Sequence, residues 1–291
     1  RVGLIDGELV GNATISEMEN SLLDLRVAGT AEAINMVEAS ANEVDEETML
    51  RALEFGHQAM QGIIAVQREM AARLGKPKAV ITPAPVDTAL RDAVYARAMP
   101  EIKRIVAEVL DRDARDAAID ALREAILAEY EAQATEGTPP DYIAIRGFLQ
   151  EVLKEEVRRR ILEDGIRPDG RDYTTIRPLA VETGVIPRVH GSGLFRRGQT
   201  QVLSVATLGT PRDAQELDNL NPEDTKRYMH HYNFPPFCTG EVKPLRGSSR
   251  REIGHGYLAE RALTAVLPSE EEFPYAIRSV TEIMSQNGST S

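Results

Sequence analysis

Arg250 and Arg251 stand side by side and run directly into Gly254-His255-Gly256. A guanidinium is a permanently charged planar fork of N–H donors, so a pair of them suits a phosphate or a phosphodiester. A second pair, Arg196 and Arg197, sits in GSGLFRRGQTQ between two β-like runs. His190 and His255 flank the two pairs and could donate to phosphate. At the end of the chain a strand-like run leads into Asn287-Gly288-Ser289-Thr290-Ser291. Hydroxyls and outward-facing backbone N–H groups in such a loop make a concavity for anions. Singly, each feature is ordinary: paired arginines are solvated surface charge, Arg196-Arg197 reads as an exposed hairpin tip, and the tail reads as a polar turn. Together they offer hydroxyls and guanidiniums to one phosphate.

Other chemistry is poorly supported. His230-His231 has no cysteine or carboxylate at zinc spacing, so no metal site is expected there. Cys238 lies beside prolines with no evident base, which argues against a nucleophile. His57 reads as a partly buried residue of a long helix. Arg158, Arg159 and Arg160 close another helix, where positive charge suits the dipole.

Composition sets the background. The 291 residues carry a formal net charge of −12, which argues mildly against unspecific binding of polyanions. Between residues 186 and 251, however, ten Lys and Arg stand against six Asp and Glu, a local surplus of four positive charges. Aromatic residues make up 5% and Trp is absent, so a broad base-stacking platform is not expected. One cysteine excludes an internal disulfide framework and fits a reducing compartment. No apolar run approaches the ~18 residues of a membrane span. The ends, RVGLIDGELVG and SQNGSTS, read as cuts through folded units, so the chain is expected to be an internal fragment.

The elements that must position these residues fall into three stretches. VGLI-DG-ELVG reads as a hairpin, since Asp-Gly tolerates the positive φ of a two-residue turn. LLDLRVAGT and AINMVEAS continue as short strands. Asp45 then caps a helix of about 30 residues, with Met49, Leu53, Met60, Ile64 and Leu74 along one face and Gly75-Lys76-Pro77 at its end. Residues 86–163 read as almost wholly helical, with breaks at Pro100, near Asp111 and at Gly137-Thr138-Pro139-Pro140. After Gly165 the pattern turns β-like. TQVLSVATLGT and YAIRSVTEIM read as strands, HYNFPPFCTGE as irregular chain, and His255 to Leu267 as a helix stopped by Pro268. The expected class is α+β, with boundaries at 1–82, 83–164 and 165–291.

As a set, GIRPDGR (165–171), HGSGLFRRGQTQ (190–201), ATLGTPRDAQ (206–215), YNFPPFCTGE (232–241), RREIGHG (250–256) and NGSTS occur in one order. That order resembles the polyribonucleotide nucleotidyltransferase (polynucleotide phosphorylase) family over the whole chain. The resemblance implies two partial ribonuclease-PH-like core domains, 1–82 and 165–291, joined by an all-helical linker domain, 83–164. It implies 3′-to-5′ phosphorolysis of single-stranded RNA by inorganic phosphate, with nucleoside diphosphates released, reversibility, and a role in mRNA turnover. Arg250, Arg251 and His255 would bind RNA with Arg196 and Arg197, and Ser289, Thr290 and Ser291 would seat phosphate. Ser-Thr-Ser stands where three serines are common. Mg²⁺ is implied as cofactor, its ligands and a catalytic lysine being expected beyond Ser291, so no catalytic or metal residue is assigned within the chain and the fragment itself is expected to be inactive. A cytoplasmic homotrimer, with proteins of an RNA-degradation complex as candidate partners, completes the implication. The alternative is a non-catalytic RNA-binding or ring-forming subunit of the same fold. Ribonuclease PH itself has one core domain and no helical linker, and so fits less well.

Overall fold

The computed structural model describes residues 1–134, 139–220, 222–288 and 290. The chain divides into two compact units, Arg1–Thr82 and Pro83–Ser291.

In the first unit, strands β1 (Val2–Ile5) and β2 (Glu8–Gly11) form the expected hairpin. Asp6 and Gly7 take φ of 50° and 82°, the positive values such a turn demands. A one-turn helix, α1 (Ile15–Met18), precedes β3 (Leu23–Gly29) and β4 (Ile34–Ala41), and the antiparallel sheet has the order β2-β1-β3-β4. The long helix α2 (Glu46–Leu74) starts as read: the Asp45 carboxylate accepts the Thr48 N–H at 2.7 Å. Its buried positions are Ala52 and Gly56. A Cβ on Gly56 would sit 3.1 Å from a Val2 methyl and 3.2 Å from a Val27 methyl, so the helix rests on the sheet through its smallest residues. Val2, Leu4, Leu23, Leu25 and Ala52 form the core. The apolar stripe read along the whole helix does not stay buried. Leu74 is exposed, as are Ile63, Val66 and Met70, because the sheet spans only the first half of α2.

The second unit opens with three helices, α3 (Thr88–Glu108), α4 (Arg112–Ala132) and α5 (Tyr142–Arg159). Val94, Ala98, Ile102 and Val106 recur every four residues on α3 and meet Ile126 of α4 and Ile145, Leu149 and Val152 of α5. Pro100 lies inside α3 rather than breaking it. Proline removes one helical hydrogen bond, but Pro100 is on the exposed face, where water can serve the carbonyl left over. A π-turn over Arg160–Asp164 ends α5, and Gly165 closes it in the left-handed conformation at φ 70°.

A five-stranded sheet follows. Its strands are β5 (Leu179–Thr183), β6 (Gly191–Arg197), β7 (Thr200–Gly209), β10 (Tyr228–Asn233) and β11 (Ala276–Ser285), in the order β10-β11-β7-β6-β5. Between β7 and β10 a two-stranded ribbon pairs β8 (Gln215–Glu216) with β9 (Thr225–Lys226). Only β10 and β11 are parallel. Helix α6 (Arg250–Thr264) packs on β10. The fold is thus α+β, with sheet-bearing segments on either side of an all-helical one.

Three further readings need correction. The HYN of HYNFPPFCTGE is strand, the end of β10, and Pro236–Thr239 form a 3₁₀ turn, so the irregular chain shrinks to Phe234-Pro235 and the residues after the turn. Arg196 and Arg197 belong to β6, the turn itself being Gly198-Gln199. Helix α6 begins five residues earlier than read, at Arg250, because Ser249 and Glu252 close a reciprocal capping box.

Candidate functional site: an arginine-bearing helix start beside a hydroxyl-lined cavity

The capping box aims the first arginine pair. Ser249 Oγ accepts the Glu252 N–H at 3.3 Å, and Glu252 Oε2 accepts the Ser249 N–H at 2.6 Å. The other carboxylate oxygen, Oε1, accepts the Phe234 N–H at 2.7 Å and ties the helix start to the chain leaving β10. Burial opposes the charge on Glu252, but the backbone N–H groups of Ser249 and Phe234 outweigh it and hold its carboxyl below the usual range. Arg251 lies with its guanidinium carbon 4.1 Å from the centre of the Phe234 ring, a cation–π contact that orients the fork. Arg250 is exposed and forms no ion pair among the described residues.

The glycines of RREIGHG divide in their roles. A Cβ on Gly256 would stand 3.2 Å from the His230 carbonyl oxygen and 3.4 Å from Tyr232 Cβ, so what approaches that backbone is β10. Around Gly254 nothing lies within 4 Å. His255, between them, packs edge-on to Tyr232 with ring centres 5.2 Å apart. Its buried Nδ1 has no hydrogen-bond partner among the described residues. Burial, and then the charge of Arg251, push its pKa down, which favours the neutral imidazole.

Tyr232 joins this wall to the chain's last loop. Its ring lies nearly parallel to that of Phe234, at 10°, and its hydroxyl is 2.8 Å from Thr290 Oγ1. Beside it opens a cavity of about 230 Å³ lined by Arg197, Thr200, Ser204, Tyr232, Thr281 and Thr290 among others. Five of those six side chains carry hydroxyls and the sixth a guanidinium, donors that suit a phosphate group, while Phe195, Val202 and Ala259 make the rest of the wall apolar. Thr200, 1% exposed, accepts the Asn287 N–H at 3.1 Å, and Arg197 donates to the Gly288 carbonyl at 3.3 Å, so two neighbouring points of β6 and β7 hold the loop. Ser204, Thr281 and His230 continue as a chain of contacts at 2.8 and 3.1 Å.

The residues read from the sequence are therefore unequally placed. Arg251, His255 and Thr290 converge through Phe234 and Tyr232. Arg197 reaches the same loop from β6, whereas Arg196 points to Glu182 in an exposed ion pair at 3.0 Å. Ser289 and Ser291 lie outside the described residues. His190 is structural: its Nδ1 accepts the Leu208 N–H at 2.9 Å. Cys238 is buried, and burial raises its thiol pKa. Tyr232, Thr200 and Thr281 carry no local signal in the sequence: each is a single strand hydroxyl, and the first two lie 58 and 87 residues from their partners in the last loop. The Ser-x-x-Glu pattern at 249–252 was such a signal for the start of α6. Among the described residues no group of three or more His, Cys, Asp or Glu could hold a metal ion, so they do not by themselves fit Mg²⁺. No helix among them is long and apolar enough to cross a membrane.

Comparison with known proteins accounts for nearly the whole chain. Residues 1–59 match the 3′ exoribonuclease family, domain 2, and residues 175–291 match its domain 1. Residues 89–172 match the RNA binding domain of polyribonucleotide nucleotidyltransferase. The polyribonucleotide nucleotidyltransferase of Geobacillus kaustophilus is 53% identical over 290 residues, which is 100% of this chain and 40% of that protein. That of Herpetosiphon aurantiacus is 51% identical over 292 residues, covering 100% and 38%. Among solved structures, an Archaeoglobus fulgidus exosome with RNA bound to the active site matches 48% of this chain and 56% of its own at 18% identity and a TM-score of 0.36, too slight a likeness to carry weight. The chain thus spans about 40% of the length of such relatives and resembles them from end to end.

Proposed function

We propose that this chain, similar along its whole length to polyribonucleotide nucleotidyltransferases, carries the RNA-holding and phosphate-seating part of a phosphorolytic 3′-to-5′ exoribonuclease. The observation that supports the reading best is the convergence of Arg251, His255 and Thr290 on Tyr232 and Phe234, next to a cavity that Arg197 and several hydroxyls share with apolar side chains. In the reaction, an oxygen of inorganic phosphate attacks the phosphorus of the last phosphodiester of single-stranded RNA. The bond from that phosphorus to the 3′-oxygen of the preceding nucleotide breaks, a nucleoside diphosphate leaves, and a proton completes the new 3′-hydroxyl. Such a transfer asks for positioning and charge stabilisation more than covalent help. Arg250 and Arg251 hold the RNA phosphates, with His255 and the second arginine pair assisting. Thr290, flanked by Ser289 and Ser291, seats the attacking phosphate, and Arg197 keeps that loop in place. Mg²⁺, which would neutralise charge on the phosphates, enters this proposal through the family rather than through the described residues, and no step is assigned to it. So do the homotrimer, the cytoplasmic setting, mRNA turnover and association with RNA-degrading partners.

A graft tests the reading. This chain replaces the matching stretch of the Geobacillus kaustophilus relative, and poly(A) is supplied with phosphate and Mg²⁺. Release of ADP is expected. Release of AMP, or RNA binding without turnover by a folded chimera, would overturn it, the latter in favour of a binding subunit.

A further inference from the structure

Another cavity lies where the helical segment meets the second sheet. It measures about 540 Å³, within the range of small-ligand sites. Arg112 and Arg115 enter it from the first turn of α4, Arg167 and Arg171 from the loop after α5, and Arg177 from the approach to β5. Two carboxylates, Asp111 and Asp169, share its lining, and Asp113 beside it pairs with Arg112, so two positive charges are left over.

The way these arginines are anchored matters. Arg115 donates to the Leu110 and Pro168 carbonyls at 3.1 and 3.0 Å. Arg112 donates to the Gln286 carbonyl at 2.6 Å and pairs with Asp113 at 2.9 Å. Arg171 bonds the Thr175 carbonyl at 2.8 Å and Asp169 at 2.9 Å, while Arg167 shares that carbonyl and Arg177 reaches Asp169 at 3.4 Å. Backbone carbonyls orient a guanidinium without cancelling its charge. Arg115 and Arg167 have no carboxylate within ion-pair distance among the described residues. Each guanidinium has five N–H groups, and these bonds use one to three of them. The buried Nε of Arg167 and Oδ1 of Asp169 have no hydrogen-bond partner among the described residues. Five fixed, pre-oriented forks held close together with a net positive charge are costly unless an anion joins them.

We propose that this cavity binds a phosphorylated small molecule of nucleotide size, a nucleoside diphosphate in class. The volume exceeds what one inorganic phosphate fills. The Asn287 and Gln199 side chains, joined at 3.2 Å on its wall, add neutral amides suited to a sugar or base. The inference rests on this cavity alone and stands whether or not the proposed reaction does. Arg112 would couple an occupant to the loop of the candidate site, since it grips the Gln286 carbonyl four residues before Thr290.

The test is titration calorimetry of the chain with ADP and, separately, inorganic phosphate. It is done in the R250A/R251A/T290A background, so that both the RNA-phosphate contacts and the phosphate-seating hydroxyl of the candidate site are removed. Saturable ADP binding is expected, weakened about tenfold or more for each of Arg167→Gln and Arg177→Gln, the loss expected of one charged contact. Arg→Lys at the same positions should restore only part, because charge survives without the fork. If the Gln variants fail to fold, ADP should still protect Arg167 and Arg177 of the unaltered chain from phenylglyoxal. No saturable binding at millimolar ADP and low salt, binding unchanged in the folded Gln variants, or no protection would overturn the proposal. Phosphate binding as tightly as ADP would overturn the nucleotide assignment and give the site to the free anion.

Discussion

At the scale of single residues, the arginine pair and His255 carry separable expectations. In the grafted enzyme, R250A/R251A should lower ADP release about 10²-fold or more, since each charge-assisted contact is worth roughly 1.5–3 kcal/mol. Lysines should rescue part of it. Turnover near that of the parent in the double variant would remove the pair from the site. His255 predicts a pH effect whose sign follows from its depressed pKa. As pH falls through the unfolded value of about 6.5, the unfolded chain takes up protons before the folded one does. The stabilisation is therefore complete above that value and lost on the way down to the folded pKa. His230 and His231, lowered by burial, act in the same direction. Urea midpoints of the second unit should be lower at pH 5.5 than at pH 7.5, and a flat profile would contradict the assignment. Replacing Arg251 with Ala should also raise the His255 pKa, which NMR titration of the imidazole reads directly. Residue types legible in the sequence were those whose chemistry is declared by composition, such as paired Arg and a Gly/Ser/Thr loop. Tyr232 was not legible, because its role depends on β10 bringing it under both His255 and Thr290.

At the scale of elements, local signals were read well and tertiary ones less so. Asp6-Gly7, Asp45 and Gly165 each act through their own backbone, and the structure has the turn, cap and stop they announce. Pro100 and Leu74 misled because the outcome depends on which face of a helix meets solvent and how far a sheet extends beneath it. The two glycines of α6 make a further prediction of this kind. Both sit inside a helix, where Ala is favoured over Gly by up to about 1 kcal/mol. Gly254 has open space, so Gly254→Ala should stabilise the second unit by roughly 0.4–1 kcal/mol. At Gly256 a single Cβ already presses on the His230 carbonyl, and Gly256→Val should cost about 1–3 kcal/mol by forcing α6 off β10. Thermal unfolding of the two variants separates them. Equal shifts would mean that α6 does not rest on β10 as described. Should Gly254→Ala stabilise the fold yet slow the grafted enzyme, the open space there is room for substrate.

At the scale of the whole molecule, the question is how a chain of net charge −12 would hold the polyanion proposed for it. The surplus of four positive charges in residues 186–251 acts locally, while the acidic remainder acts at longer range. At physiological ionic strength charges are screened beyond about 8 Å, so arginines in contact with RNA would keep their effect and distant carboxylates would lose theirs. Each phosphate neutralised on a single strand contributes about −0.7 to the slope of log K against log salt. Arg250, Arg251 and Arg197 are three such contacts, and Arg196 becomes a fourth only by giving up Glu182. The expected slope is therefore about −2 to −3, a loss of roughly 20- to 50-fold in affinity for oligo(A) between 50 and 200 mM salt. R250A/R251A should make the slope shallower by about 1.4, two phosphates' worth. Near 10 mM salt the screening length grows to about 30 Å, and the acidic remainder should then repel the RNA and bend the line downward from its extrapolation. Fluorescence anisotropy across this salt range reads both effects. An unchanged slope in the double variant would show that the pair does not touch phosphate. A line that stays straight to 10 mM would show that the local surplus is felt alone, without the charge of the rest of the chain.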